Sequence, residues 1–246
     1  MSNHSMNFFP GFCILIPVLI IYNFSKGVKA MLGIIRVLTT EKQEVLQEHG
    51  RKMENLYKVR SVTHCIPEQP NGIYDEQSEK EAVPKIIELA QQMHAQYDLA
   101  AITISCAADP ALDETRVALD IPVLGAGTSG AHAAAMVGSK VGIIGITDAP
   151  PSRMKEELGN RFFSYDFSPN LRKTTDLFSD GAKEELLKVV KGTIQSGADV
   201  ILFACTGFST IRLKDYLVEQ VNVPIVDLVE AQAIAFQLIK GGVRNE

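Results

Sequence analysis

The sequence predicts an α/β protein of two similar three-layer α/β/α lobes, whose parallel sheets are related by pseudo-twofold symmetry. Three observations lead to this fold class. From Met31 onward, short apolar runs alternate with amphipathic segments, as in strands joined by crossover helices. Several of these runs are apolar throughout, as in strands buried on both faces of a parallel sheet. Two segments, beginning at Ala100 and Asp199, repeat the same order of features.

The predicted elements follow from local patterns along the chain. Helices are predicted at residues 41–56, 79–97 (with Pro84 in the first turn), 131–137, 154–158, 182–196, 214–219 and 229–240. Strands are predicted at residues 33–38, 58–64, 100–105, 122–124, 141–146, 162–165, 200–204 and 224–226. We assign residues 31–128 plus 226–246 to the first lobe and residues 129–225 to the second.

The composition is that of an ordinary folded protein. Of the 246 residues, 46% are hydrophobic and 22% are charged, and the formal net charge is −5, so a sizeable core is available. The absence of Lys/Arg runs argues against a nucleic-acid partner. The four cysteines lack the spacing of a zinc site or a disulfide scaffold, so no metal is predicted.

The first thirty residues differ from the rest of the chain. Residues 8–22 form an apolar run that is too short to span a bilayer. Lys26 and Lys29 follow this run and no Lys or Arg precedes it, which is not the arrangement of a secretory signal. We interpret residues 1–30 as an apolar extension, either translated upstream sequence or a poor signal-like segment. We therefore expect a cytoplasmic protein without membrane contact. The alternative is secretion, which we would expect if residues 1–30 act as a signal.

Each copy of the repeat carries a cysteine directly after its buried strand. Cys106 and Cys205 each precede a small-residue turn, a polar helix and a short strand around a proline. Ligands bind beyond the carboxyl ends of parallel strands, and a helix N-terminus lowers the pKa of a thiol. Two lobes related by a pseudo-twofold axis would bring the thiols face to face, so that one removes a proton from a carbon and the other delivers one to its opposite side. Cys65 has no helix after it and is interpreted as a bystander.

These motifs are similar to those of the aspartate/glutamate/hydantoin racemase superfamily, from Met31 to the C-terminus. The segments SCAADPALDETR, IPVLGAG and ACTGFS are closest to the hydantoin racemase branch. The resemblance implies a cofactor-independent racemase or epimerase, an isomerase that inverts a carbon alpha to a carbonyl with Cys106 and Cys205 as its catalytic pair. It also implies an active site in the cleft between the lobes, a small-molecule substrate and a homo-oligomer.

The resemblance further implies a set of substrate-binding residues. They lie in the loop after the first strand, next to each cysteine, and after the IPVL strand: Thr39, Thr40, Ala107, Gly127, Thr128, Thr206 and Gly207. Backbone N–H groups beside the cysteines would hold a carboxylate or an imide oxygen. Ordinary helix capping is the alternative role for the threonines.

The residues after each cysteine depart from the amino-acid racemases of the family. Those enzymes usually have Asn-Thr after the first cysteine, and glutamate racemases have Thr-His after the second. This chain has Ala107-Ala108 and Thr206-Gly207 instead. The implied substrate is therefore a hydantoin-like ring or an amino-acid derivative rather than free glutamate or aspartate. Related decarboxylases use one of the two cysteines, so the presence of both favours racemisation.

Two other classes of function stay open. Gly125-Ala-Gly127-Thr-Ser-Gly130 has the G-x-G-x-x-G spacing of a dinucleotide-binding turn, with Asp148 eighteen residues beyond it. This pattern would suit an NAD(P)-binding oxidoreductase, although a tight turn with close helix packing also explains it. The other class is a non-catalytic small-molecule binding protein on the same scaffold.

Overall fold

The computed structural model describes residues 30–240 of the chain. The predicted N-terminal extension lies outside these residues except for Ala30, and so does Cys13. The described chain forms two four-stranded parallel sheets flanked by helices, which confirms the predicted α/β fold of two lobes.

The first sheet is built from the N-terminal half of the described chain. Its strands are β1 (Met31–Arg36), β2 (Arg60–Cys65), β3 (Ala101–Ser105) and β4 (Val123–Gly125). The helices of this half are α1 (Gln43–Tyr57), α2 (Glu76–Gln96), α3 (Leu112–Ala118) and α4 (Ala126–Val137). The strand order is β2-β1-β3-β4, and the register places Arg36 beside both Cys65 and Ser105 at the carboxyl edge.

The second sheet repeats this arrangement. Its strands are β5 (Val141–Gly145), β6 (Phe162–Phe167), β7 (Val200–Phe203) and β8 (Ile225–Val226). The remaining α-helices are α5 (Ser152–Leu158), α6 (Ala182–Gln195), α7 (Gly207–Thr210), α8 (Leu213–Leu217) and α9 (Leu228–Lys240). Short 3-10 helices also occur, at Gly159–Arg161 and Thr174–Phe178. The order β6-β5-β7-β8 matches that of the first sheet strand for strand, so β3 and β7 occupy equivalent positions.

The chain passes from the first sheet to the second through α4 and returns after β8. Helix α9 then packs on α1, β3 and β4, where Val229, Ala233 and Phe236 join the core of the first sheet. A buried ion-pair group holds the start of α9 against α1: the Lys52 ammonium contacts Asp227 at 3.0 Å and Glu230 at 3.2 Å. The exact residues that divide the lobes stay a prediction.

Helix starts show where local chemistry differs from the predicted pattern. Helix α2 begins at Glu76, three residues earlier than predicted, because Asp75 and Ser78 form a reciprocal capping box. Pro84 consequently lies in the interior of α2, on its exposed side, and the prediction that it occupies the first turn is wrong. Helix α4 begins at Ala126, inside the glycine-rich motif rather than after it.

No helix in residues 30–240 has the length and apolar character needed to cross a membrane.

Candidate active site

The two predicted catalytic cysteines lie at the carboxyl ends of equivalent strands. Cys106 directly follows β3, and Cys205 comes two residues after β7. Their loops meet across the gap between the sheets, where the Thr206 hydroxyl donates to the Ser105 carbonyl at 3.1 Å. The thiols are close enough that negative charge on Cys205 raises the pKa of Cys106. The predicted pair is therefore brought together where the two cysteine loops meet.

Cys205 is buried, 8% exposed, and its sulfur is surrounded by groups that favour the thiolate. Burial is the largest influence and raises its pKa to about 11. Opposing this effect, the N–H groups of Gly207 and Phe208 donate to the sulfur at the start of α7. The Thr174 hydroxyl also donates to it, and the positive charge of Arg36 acts in the same direction.

Cys106 is partly accessible but has a different electrostatic environment. Burial within the cleft raises the pKa of its thiol far above the usual range, and the Ala108 N–H is the hydrogen-bond donor that opposes this rise. The negative charges of Asp109 and Glu79 raise the pKa further. The turn is strained, since Asp109 and Ala111 both adopt left-handed backbone conformations with φ of 52° and 56°.

A buried polar network, absent from the predicted site, lies below the two cysteine loops. Arg36, 3% exposed, donates to the Val45 carbonyl and, at 3.3 Å, to the Thr210 hydroxyl. The buried His49 ring lies 2.9 Å from the Ser105 hydroxyl and 3.2 Å from Thr210. Burial first, and then the charge of Arg36, hold the pKa of His49 well below its ordinary value, so its ring is neutral. One sequence signal was available, because Arg36 interrupts the otherwise apolar run GIIRVL.

Cys65 is also near the site, although its sequence context indicated a bystander. It ends β2 beside Arg36, and its sulfur accepts a hydrogen bond from the Thr40 N–H. Burial raises the pKa of this thiol, while Arg36 and the Thr40 donor lower it. The carboxyl edge of the first sheet therefore carries two thiols, at Cys65 and Cys106.

The predicted anion-binding loop is held by contacts within the protein. The Thr39 hydroxyl donates to the Ile66 carbonyl at 2.6 Å and accepts the Gln69 N–H at 2.7 Å. The Thr40 hydroxyl accepts the Lys42 N–H at 3.2 Å. These bonds attach the loop after β1 to the segment after β2, and substrate binding by the two threonines stays a prediction.

The glycine-rich motif supports the Cys106 turn. The buried carboxylate of Asp109 accepts the N–H groups of Gly127 and Thr128, each at 2.7 Å, and the Thr128 hydroxyl at 2.8 Å. Gly127 is required for close approach, because a Cβ there would lie 2.1 Å from the Ala107 carbonyl oxygen. The N-terminal donors of α4 are thus occupied by the chain's own carboxylate, which leaves no cradle for a pyrophosphate and argues against the oxidoreductase alternative.

The remaining predicted residues flank the thiols. The Gly207 N–H donates to the Cys205 sulfur. The hydrogen bonds within residues 30–240 do not use the N–H groups of Ala107 or Thr206. In the same part of the chain, no three His, Cys, Asp or Glu side chains converge as metal ligands would.

Comparison with known proteins gives one family match. The model of the family described as Asp/Glu/Hydantoin racemase matches residues 36–235, most of the chain. Among curated protein sequences, none matches the chain significantly.

Solved structures share the whole fold at low sequence identity. Allantoin racemase from Klebsiella pneumoniae has a TM-score of 0.73 at 18% identity, over 89% of this chain and 91% of its own. Allantoin racemase from Pseudomonas fluorescens has a TM-score of 0.73 at 17% identity, over 88% of this chain and 93% of its own. A glutamate racemase from Bacillus anthracis has a TM-score of 0.66 at 17% identity, over 88% and 85%. Likeness at these identities establishes the fold alone.

Proposed function

This chain belongs to the Asp/Glu/hydantoin racemase family and is an enzyme of the racemase type; from this premise we propose that Cys106 and Cys205 together invert a carbon alpha to a carbonyl without a cofactor. One observation carries the proposal: the thiols follow equivalent strands, and the Ser105–Thr206 hydrogen bond joins their loops across the cleft. Such an arrangement presents a thiol to each face of a substrate bound between the lobes.

The proposed reaction needs two proton transfers. The Cys205 thiolate removes the alpha proton, forming an S–H bond and leaving the electron pair of the C–H bond on the carbon and its carbonyl. The Cys106 thiol then gives its proton to the opposite face of that carbon and becomes the thiolate. The product is the mirror-image centre, and the reverse reaction uses the thiols in exchanged roles.

The backbone beside the thiols supplies donors for the charge that develops on the substrate. The unused N–H groups of Ala107 and Thr206 each belong to the residue directly after a cysteine, one following β3 and the other following β7. An enolate oxygen needs donors of this kind, because charge on oxygen is costly in a buried site. The proposal assigns these two groups to the substrate's carbonyl oxygens.

We further propose that the substrate is a hydantoin-like ring or a related amino-acid derivative. The residues after the cysteines are small or neutral, Ala107-Ala108 and Thr206-Gly207, and provide no charged group for an ammonium or a side-chain carboxylate. A ring whose carbanion delocalises into carbonyl groups has a more acidic alpha proton. It therefore demands less of two thiols whose pKa values burial raises.

Proton exchange at the alpha carbon tests both proposals. Single enantiomers of 5-substituted hydantoins, allantoin, aspartate and glutamate are incubated with enzyme in deuterated water and followed by proton NMR. We expect the alpha-proton signal of a hydantoin-type compound to disappear with the wild-type protein. The Cys106→Ser and Cys205→Ser variants should each abolish racemisation while circular dichroism shows an unchanged fold.

The outcomes separate mechanism from substrate. Full racemase activity in both single variants would refute the two-thiol mechanism. Exchange on glutamate or aspartate, with none on the ring compounds, would refute the proposed substrate class and leave the mechanism standing.

A further inference from the structure

We propose that Arg36 is a positioning residue of this site: its buried guanidinium stabilises the Cys205 thiolate, so that in the free enzyme Cys205 ionises before Cys106 and is the base for one of the two enantiomers. This inference rests on the proposed two-thiol mechanism and adds an order to it. Arg36 belongs to β1 of the first sheet, whereas Cys205 belongs to the second, so the proposed interaction crosses the cleft.

The first argument is the unbalanced charge of Arg36. The side chain is 3% exposed, and its hydrogen bonds go to two neutral oxygens, those of Val45 and Thr210. Among residues 30–240, no carboxylate lies within ion-pair distance of the guanidinium. The groups whose negative charge would stabilise it are, in decreasing order, the thiols of Cys65 and Cys205 and the more distant Glu48 carboxylate. A buried cation is costly unless an anion balances it. An ionised thiol beside it would supply that anion.

The second argument is where the guanidinium is held. Thr210, which accepts its hydrogen bond, is the last residue of α7, the short helix whose first N–H groups donate to the Cys205 sulfur. His49 contacts the same Thr210 hydroxyl and also Ser105, next to Cys106. Because His49 is neutral, the positive charge of this network is that of Arg36, and burial lowers the pKa of this guanidinium to about 10.

The third argument is the contrast between the surroundings of the two thiols. The titratable groups near Cys205 come from four other elements: His49 on α1, which hydrogen-bonds the backbone of Thr206, Arg36 on β1, Cys106 after β3 and Tyr165 on β6. Of these, the guanidinium carries positive charge. Near Cys106, the charged side chains are the carboxylates of Asp109 and Glu79. The same negative charge therefore costs less on Cys205 than on Cys106.

Alkylation without substrate tests the inference independently of racemisation. The wild-type protein, Arg36→Met and Arg36→Lys are treated with iodoacetamide between pH 7 and 11, and the modification of each cysteine peptide is quantified by mass spectrometry. Methionine keeps an unbranched apolar side chain at this buried position while removing the charge, and lysine keeps the charge. Circular dichroism verifies the fold of both variants.

We expect the wild-type Cys205 to ionise at lower pH than Cys106. In Arg36→Met, alkylation of Cys205 at pH 8 should fall about tenfold, one unit of thiol pKa. Cys65, also beside Arg36, should slow as well, while Cys106 should keep its rate. Arg36→Lys should retain most of the Cys205 rate. If the NMR assay finds a substrate, kcat should fall in Arg36→Met with little change in KM.

Three results would overturn the inference. One is a wild-type protein in which Cys106 ionises first, a measurement that does not depend on any variant folding. Another is an unchanged Cys205 rate in folded Arg36→Met. The third is faster alkylation of all three thiols in that variant, because this would show that Arg36 only stabilises the fold. Failure of racemisation on every substrate tested would instead count against the proposed function.

Discussion

Replacing Asp109 tests whether the glycine-rich motif serves to hold the Cys106 turn. The carboxylate accepts three hydrogen bonds of 2.7 to 2.8 Å from the first turn of α4. In Asp109→Asn, which tolerates the left-handed backbone at this position, one oxygen becomes an NH2 group that cannot accept. At least the Gly127 bond is then lost.

The expected cost follows from these contacts. A hydrogen bond to a charged group contributes about 1.5–3 kcal/mol, and a buried donor left unpaired costs a similar amount. Burial raises the pKa of Asp109, so removing its charge recovers part of the loss. We expect the free energy of unfolding to fall by about 1–2 kcal/mol in Asp109→Asn and by about 3–5 kcal/mol in Asp109→Ala.

Urea unfolding followed by far-UV circular dichroism measures both values. Asp113→Asn is the matched control, because Asp113 lies in the following helix but is exposed and pairs with Arg153 and Arg116 at the surface. It should unfold as the wild type does. If both Asp109 variants also unfolded like the wild type, Asp109 would not hold the start of α4, and the glycine motif would again be available to a ligand.

The remaining predictions concern pH, the ion-pair group and packing. Because burial raises the pKa of Cys205 to about 11, kcat/KM should rise about tenfold per pH unit between pH 7 and 9, and a flat profile would exclude this thiolate as the base. Lys52→Met leaves the fully buried Asp227 without its cation and should lower the free energy of unfolding by about 3 kcal/mol. An unchanged urea midpoint would refute the role of Lys52 as the stabilising counter-ion of Asp227. Gly127→Ala should lower the midpoint temperature of unfolding, because the added Cβ would clash with the Ala107 carbonyl. Gly192→Ala is the control, since the space around its Cβ is open.

The fold could be predicted from the sequence because the repeat and the hydrophobic pattern both follow from the need to bury a parallel sheet on its two faces. A strand buried on both faces is mostly apolar, as Ala101–Ser105 and Val200–Phe203 are, and the two copies occupy equivalent places in their sheets. The family resemblance drawn from the motifs around Cys106 and Cys205 is confirmed by the family match. Element ends were less predictable, since α2 begins where a side-chain capping box forms rather than where the apolar period starts.

The part of the candidate site around Arg36, His49 and Thr174 was not predicted because it depends on contacts between distant segments. Thr174 begins a short 3-10 helix, Thr174–Phe178, and reaches Cys205 only through the tertiary fold. His49 is one of several polar residues on α1, and its role depends on Ser105 and Thr210. Homo-oligomer formation, the cytoplasmic location and the substrate contacts of the seven predicted binding residues stay predictions.

The double passage of the chain between the two sheets restricts how the cleft can open. The second sheet is inserted between α4 and α9, so two covalent connections, one through α4 and one after β8, join it to the first. Two attachment points leave one soft rotation about the line that connects them, and they resist sliding or twisting of one lobe past the other. Opening would then move the Cys106 and Cys205 loops apart along an arc and return them to the same separation on every closure. The distance between the two thiols that two-sided proton transfer requires would thus be set by the chain's connectivity. The Ser105–Thr206 hydrogen bond would then be present in the closed conformation.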